Sequence, residues 1–214
     1  MGLFTKKPIQ TSSTAPLYTL GSSKTILLVG LGNPGKEYDG TRHNIGFAVL
    51  DHFVASNSEF SDWIVKKDLS CQISTGNLGG TRVIAIKPTT FMNDSGRAVQ
   101  AVQHFYKIPV GAMLVIHDEL DIPFGQIRSR IGGGSAGHNG IKSVTAQCGD
   151  QYGRLRVGIN SPHRTKNEEK DFVLKSFGKE EQGQLPNLQR ETNSILSEYI
   201  FGENLPADTR SFLV

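Results

Sequence analysis

From Thr25 onward the apolar positions of the chain fall into two alternating rhythms. Short β-branched and aliphatic runs at 25–30, 70–75, 81–87, 113–117, 126–131 and 155–160 read as strands. Between them the spacing widens to that of helices. Ile45, Val49 and Phe53 form one helical stripe, with Asn44 placed to cap it. Ala98, Val102, Phe105 and Tyr106 form a second, opened near 93–95 and stopped by Pro109, and Ile141, Val144 and Cys148 form a third. A fourth near the C-terminus uses Leu185, Leu188, Ile195, Tyr199 and Ile200. This interleaving predicts an α/β fold: a single-domain three-layer sandwich whose mixed, mostly parallel twisted sheet is flanked by helices. One pairing must be antiparallel, because only the hairpin-length link "GNLGG" separates the run at 81–87 from the one before it. Residues 24–214 are expected to form that domain. Residues 1–23, rich in Ser, Thr and Pro without periodicity, are expected to be a mobile tail.

Charge adds one feature. The 214 residues carry 23 Lys and Arg against 20 Asp and Glu, but the excess is local. Between Gly125 and Arg164 there are six basic residues (Arg128, Arg130, Lys142, Arg154, Arg156, Arg164) and one acid, Asp150. Such a patch either recruits a polyanion through phosphate contacts or is simply a solvated face. Cys71 and Cys148, far apart and in apolar contexts, read as inert thiols of a reducing compartment. No apolar run reaches the roughly 18 residues of a membrane span, so a cytoplasmic protein is expected.

Two motifs invite readings that their contexts refuse. Gly30, Gly32 and Gly35 match the dinucleotide fingerprint G-x-G-x-x-G, with Asp51 at the spacing of a ribose-binding acid. In that fold the third glycine opens a helix. Here the polar, Gly-interrupted "KEYDGTRHN" follows, so the helix starts near Asn44 and Asp51 falls in its middle. The stretch "GGSAG" at 133–137 satisfies G-x-S-x-G, the serine-hydrolase elbow, which needs a buried apolar feeding strand. The strand before it, "GQIRSRI", alternates Arg128 and Arg130 with isoleucines, as a half-exposed strand does.

Groups able to do acid–base work converge on one predicted sheet edge. His43 ends the polar loop just before a helix N-terminus, whose field favours a neutral, proton-accepting imidazole. Asp118 ends the run "MLVIHD", where it could orient that imidazole. Asn33, Asn93 and Asn139 share the edge; each could merely cap a turn, or could hold a peptide backbone without introducing charge. Phe91 and Met92 would supply an apolar wall. The six histidines show no ligand-like spacing, so no metal is expected.

These residues lie in four blocks: "VGLGNPGKEYDGTRHNIGF", "KPTTFMNDSGRAV", "HDELDIPFGQIRSRIGGGSAGHNGIKS" and "RLRVGI". In that order they resemble the bacterial-type peptidyl-tRNA hydrolases. The resemblance implies hydrolysis of the ester between a peptide and the terminal ribose of tRNA, without cofactor or metal, recycling peptidyl-tRNA in the cytoplasm. It implies His43 as general base and Asp118 as the group supporting it. Asn33 would discriminate peptidyl from free aminoacyl esters; Tyr38, Phe91, Asn93 and Asn139 would contact the substrate, with Met92 and His138 close by. Arg128 and Arg130 match basic positions near the acceptor stem, where the family often carries lysine; Lys142 and Arg156 of the same window are the other expected phosphate contacts. The expected partner is peptidyl-tRNA, met at its acceptor stem and CCA end by a monomer without membrane or obligate protein partner. The alternatives are a non-catalytic RNA-binding homologue and a serine esterase. Departures from the family pattern are Ser135 and Ala136 in the glycine loop, the N-terminal tail, and an acidic segment after Thr165.

Overall fold

The computed structural model describes residues 24–161, 169–202 and 204–213; the expected tail at 1–23 and Arg164 of the basic window lie outside them. The chain runs β1 (Thr25–Gly30), α1 (Ile45–Ala55), β2 (Ile64–Lys66), β3 (Cys71–Leu78), β4 (Thr81–Pro88), α2 (Ser95–Tyr106), β5 (Met113–Pro123), β6 (Gln126–Ile131), α3 (Asn139–Cys148), β7 (Gly153–Asn160), α4 (Glu169–Val173), α5 (Lys179–Gly202) and β8 (Asp208–Ser211). The strands form one sheet in the order β2-β3-β4-β1-β5-β7-β6-β8.

The sheet is mixed, as expected, but its parallel part is confined to the centre. β1 pairs in parallel with β4 and β5, and β5 with β7; the other pairings among the described residues, β2–β3, β3–β4, β6–β7 and β6–β8, are antiparallel. The expectation of a mostly parallel sheet is therefore corrected. Its cause is link length. Gly79 and Gly80, both left-handed at φ 57 and 85, close the β3–β4 hairpin in the way a two-residue turn requires. Only Phe124 and Gly125 separate β5 from β6, so β6 must turn back, and β7 enters between them.

Alternation within each central strand sends side chains to two cores, which is why these strands read as unbroken apolar runs. Ile26, Leu28, Leu114, Ile116, Leu155 and Val157 pack with α1 and α5 residues such as Leu50, Phe53, Leu188 and Leu196. Leu27, Val29, Ile84 and Val115 pack on the other face with Val99 and Val102 of α2 and Ile141 and Val144 of α3. Helices thus cover both faces, giving the three layers expected.

The glycines of the first motif serve a close approach. A Cβ at Gly30 would lie 2.4 Å from the carbonyl oxygen of Gly46, and one at Gly46 would lie 2.4 Å from that of Ile116. The first turn of α1 therefore rests directly on the carboxyl end of β1 and the middle of β5. Asp51 sits in the middle of α1 and pairs with Lys87 of β4, as its predicted place in a helix required.

Candidate active site

The loop between β1 and α1 contains two 3-10 turns, Lys36–Tyr38 and Arg42–Asn44, and is locked by an asparagine pair. The backbone N–H of Asn33 donates to Oδ1 of Asn44 at 2.8 Å, and Nδ2 of Asn44 donates to the carbonyl of Asn33 at 3.0 Å. Asn44 stands at the N-cap of α1 but makes no side-chain capping bond. The cap expected of it gives way to this lock, which holds His43 next door. A second clamp was not foreseen: buried Arg42 donates to the carbonyls of Lys175 and Ser176, pairs with Glu181 and lies over the Phe172 ring. The loop carrying His43 is thereby tied to the C-terminal helices.

Asp118 does not end β5, which runs five residues further to Pro123. Its carboxylate is buried and accepts from two imidazoles. Nδ1 of His43 lies 2.9 and 3.0 Å from its two oxygens, and Nε2 of His138 lies 2.9 Å from Oδ1. Burial works against the charge, yet the fields and hydrogen bonds of His138 and His43 outweigh it and hold the carboxyl well below the usual carboxylate range. An ionised carboxylate can only accept, so His43 carries its proton on Nδ1 and presents the lone pair of Nε2.

The tautomer of His138 is fixed from its other side. Its Nδ1 accepts from the backbone N–H groups of Gly140 and Ile141, at 3.1 and 3.2 Å, capping α3. The proton must then sit on Nε2, facing Asp118. Nitrogens of both histidines and a carboxylate oxygen lie within 4.8 Å of one another, a cluster that sequence spacing did not disclose. The two nitrogens that face the carboxylate, Nδ1 of His43 and Nε2 of His138, donate their protons to it.

His43, Asp118, His138, Asn139 and Lys142 line one cleft of about 380 Å³, together with Glu119, Leu120, Ala136, Gly137 and Val173. The substrate positions on the 3-10 turn Met92–Asp94 do not line this cleft; the turn packs against α3, which carries Asn139. Oδ1 of Asn33 accepts from the N–H of Met92 at 2.8 Å, which assigns the orientation of the amide and leaves its NH2 without a partner among the described residues. Tyr38 meets Phe91 edge to face at 6.5 Å, and Phe91 is exposed, as a wall offered to a ligand is. Met92 is buried, its sulfur only 2.5 Å from where a Cβ at Gly140 would stand, so it supports the wall from beneath α3. Asn93 is exposed on the turn. Asn33 and Asn44 line a different cavity from His43, one of about 430 Å³ lined also by Asp39, Phe47, Asp51 and Lys87.

The basic window folds into an array. Arg128 and Arg130 of β6 stand opposite Arg156 and Arg154 of β7 respectively, so four guanidinium side chains share one face of an antiparallel ladder. The Nε atoms of all four are buried without a partner among the described residues. Burial, then the charge of Arg130, lowers the proton affinity of Arg156. Like charges placed directly opposite each other destabilise a ladder, and an anion relieves them. Arg154 is the exception, because it is buried and bonded to the glycine loop. Lys142 is exposed on α3 at the cleft.

The elbow reading fails on topology. Ser135 follows β6, an antiparallel strand one place from the sheet edge, and its carbonyl is engaged by the N–H of His138.

Comparison with known proteins supplies the chemistry's name. A sequence model of the peptidyl-tRNA hydrolase family matches residues 27–212. A peptidyl-tRNA hydrolase of Azorhizobium caulinodans is 48% identical over 156 residues, covering 73% of this chain and 74% of that protein. One of Rickettsia bellii is 45% identical over 156 residues, covering 73% and 83%. Among solved structures, peptidyl-tRNA hydrolase from Acinetobacter baumannii matches with a TM-score of 0.78 and 34% identity, over 85% of this chain and 91% of that one.

Proposed function

The chain belongs to the peptidyl-tRNA hydrolase family and hydrolyses the ester between peptide and tRNA; from that premise we propose how its residues perform the reaction. Water in the cleft gives a proton to Nε2 of His43 as its oxygen attacks the ester carbonyl. The imidazolium so formed is stabilised by Asp118 through the bond at Nδ1, and the ribose oxygen leaves with a proton returned from the ring. The observation that carries this assignment is the double contact of Asp118 with Nδ1 of His43, which leaves the opposite ring nitrogen as the free base. General base catalysis of this kind contributes about 10²- to 10⁴-fold.

Asn33, Asn93 and Asn139 offer neutral amides to the peptide, and Tyr38 and Phe91 an aromatic wall beside supporting Met92. His138 holds Oδ1 of Asp118 from the other side, so the carboxylate cannot swing away from His43. Arg128, Arg130, Arg156 and Lys142 meet phosphates of the acceptor stem and CCA end. The packing of like charges on one face of the β6–β7 ladder supports that role. No helix among the described residues is long and apolar enough to cross a membrane; we take the enzyme to act in the cytoplasm as a monomer.

The substrate assignment is tested with an N-acylated aminoacyl-tRNA and the unblocked ester side by side. The blocked ester is expected to be hydrolysed and the free-amine ester to be spared. Equal turnover of the two would remove the discriminating role given to Asn33. RNA binding without turnover would return the chain to a binding role.

A further inference from the structure

The loop that delivers His138 and Asn139 has little reason of its own to hold a shape. Between β6 and α3 the backbone is left-handed at Gly132, Gly133, Ala136 and Gly137, at φ 65, 92, 46 and 83. Glycine-rich segments lose the most conformational freedom on ordering. Yet Ala136, Gly137, His138 and Asn139 from this loop line the reaction cleft. Something must fix it.

Arg154 does so from below. It is only 1% exposed, a charged group inside the protein. Its Nη1 donates to the carbonyl of Gly134 at 2.7 Å and its Nη2 to that of Gly133 at 2.5 Å. The guanidinium also lies over the Tyr152 ring at 5.1 Å. Tyr152 in turn accepts the N–H of Gly132 on its carbonyl at 3.0 Å, and its hydroxyl meets Thr145 Oγ1 of α3 at 2.9 Å. Arg130 adds a bond to the same Gly134 carbonyl at 3.0 Å. The fork of an arginine matches two successive carbonyls; a lysine, with its point charge, cannot span both.

We propose that Arg154 is a positioning residue for the hydrolysis: by clamping the Gly133 and Gly134 carbonyls it sets the loop, and through the loop the placement of His138 on Asp118 and of Asn139 in the cleft. It is not a phosphate contact, despite lying in the basic array, because its donors are turned inward. The inference rests on the roles given above to His43, Asp118 and His138.

The test compares wild type with Arg154→Lys and Arg154→Gln, measuring kcat and KM for N-acylaminoacyl-tRNA, the salt dependence of binding, and amide exchange. Misplacement by about 1 Å costs on the order of 10²-fold, so kcat is expected to fall by about 10- to 100-fold. The salt slope should stay at the wild-type value, and KM should rise only as far as the displaced Asn139 loosens the peptide. Exchange at the His138 and Gly140 amides should accelerate while that of Leu155 and Val157 in β7 does not. Full kcat in a folded Arg154→Lys protein would overturn the proposal, and so would a raised KM with a flatter salt slope, the signature of a side chain that had been neutralising a phosphate. Should neither variant fold, wild-type exchange decides: His138 and Gly140 amides exchanging as in a free peptide would show that no clamp exists. His43→Ala is run in parallel. Full activity there would refute the base assignment while leaving the loop measurements to judge Arg154 alone.

Discussion

Both carboxylate oxygens of Asp118 lie within hydrogen-bond distance of Nδ1 of His43, at 2.9 and 3.0 Å. This pairing fixes three properties of the imidazole together: its orientation, its tautomer and the stability of its protonated form. Replacing Asp118 with Asn keeps the shape but presents an amide that can donate to the ring and so invites the opposite tautomer. In triads built on this logic the change lowers turnover by about 10⁴. Asp118→Asn is therefore expected to reduce kcat by about 10³- to 10⁴-fold with little change in KM. Steady-state kinetics on N-acylaminoacyl-tRNA decides it, and a loss confined to KM would show that Asp118 only binds substrate.

His117, beside Asp118 in β5, makes a pH-dependent contribution to stability. It is buried, its Nδ1 donates to the Asp118 carbonyl at 2.7 Å, and its Nε2 has no partner among the described residues. Burial lowers its pKa well below the ordinary imidazole value. In the unfolded chain it titrates near about 6.5. Its contribution is thus complete above that value and is lost as pH falls below it, because only the unfolded state takes the proton. His117→Phe should be destabilised by about 1–3 kcal/mol near pH 8, from the unsatisfied carbonyl. The gap should then shrink by up to about 1.4 kcal/mol per pH unit below about pH 6. Urea unfolding of both proteins at several pH values measures it; a constant or widening gap would contradict the burial of a neutral ring.

The arginine ladder makes a prediction in salt. Arg128 and Arg156 face each other across β6 and β7. Removing a side chain that neutralises one phosphate should reduce the slope of log K against log salt by about 0.7–0.9. Gln at both positions should weaken tRNA binding and flatten the slope by roughly 1.4–1.8, as binding titrations from low to moderate salt would reveal. An unchanged slope would make this face a solvated one.

The thiols should be silent in the native protein. Burial pushes Cys71 up to about 12 and Cys148 up to about 11. Alkylation at mildly alkaline pH is expected to follow the denaturant unfolding curve, with no fast phase before it. A rapid native-state reaction at either cysteine would show an opening that the packed core does not suggest.

Much of this architecture was legible because the central strands are apolar on both faces and the helices carry periodic stripes. β2 and β8 were not: Ile64–Lys66 offers only two adjacent apolar residues, too short to show a strand's alternation, and Asp208–Ser211 has no apolar residue. His43 and Asp118 could be named because each sits at the end of a loop or of an apolar run. The part of His138 could not, since its bond to Asp118 depends on a loop whose course is set by left-handed residues and a buried guanidinium. Arg42 and Arg154 were hidden for a related reason. Sequence pattern treats arginine as a surface charge, whereas here both are buried and donate to backbone carbonyls. The expected cap at Asn44 failed because its amide found better partners in Asn33.

The account depends most on a neutral His43 taking the proton from water. Single-turnover hydrolysis of N-acylaminoacyl-tRNA by His43→Ala, at enzyme concentrations that saturate binding, tests it directly. The predicted result is unchanged tRNA affinity with the rate of ester cleavage lowered by at least about 10²-fold. Cleavage at the wild-type rate with His43 gone would contradict the claim.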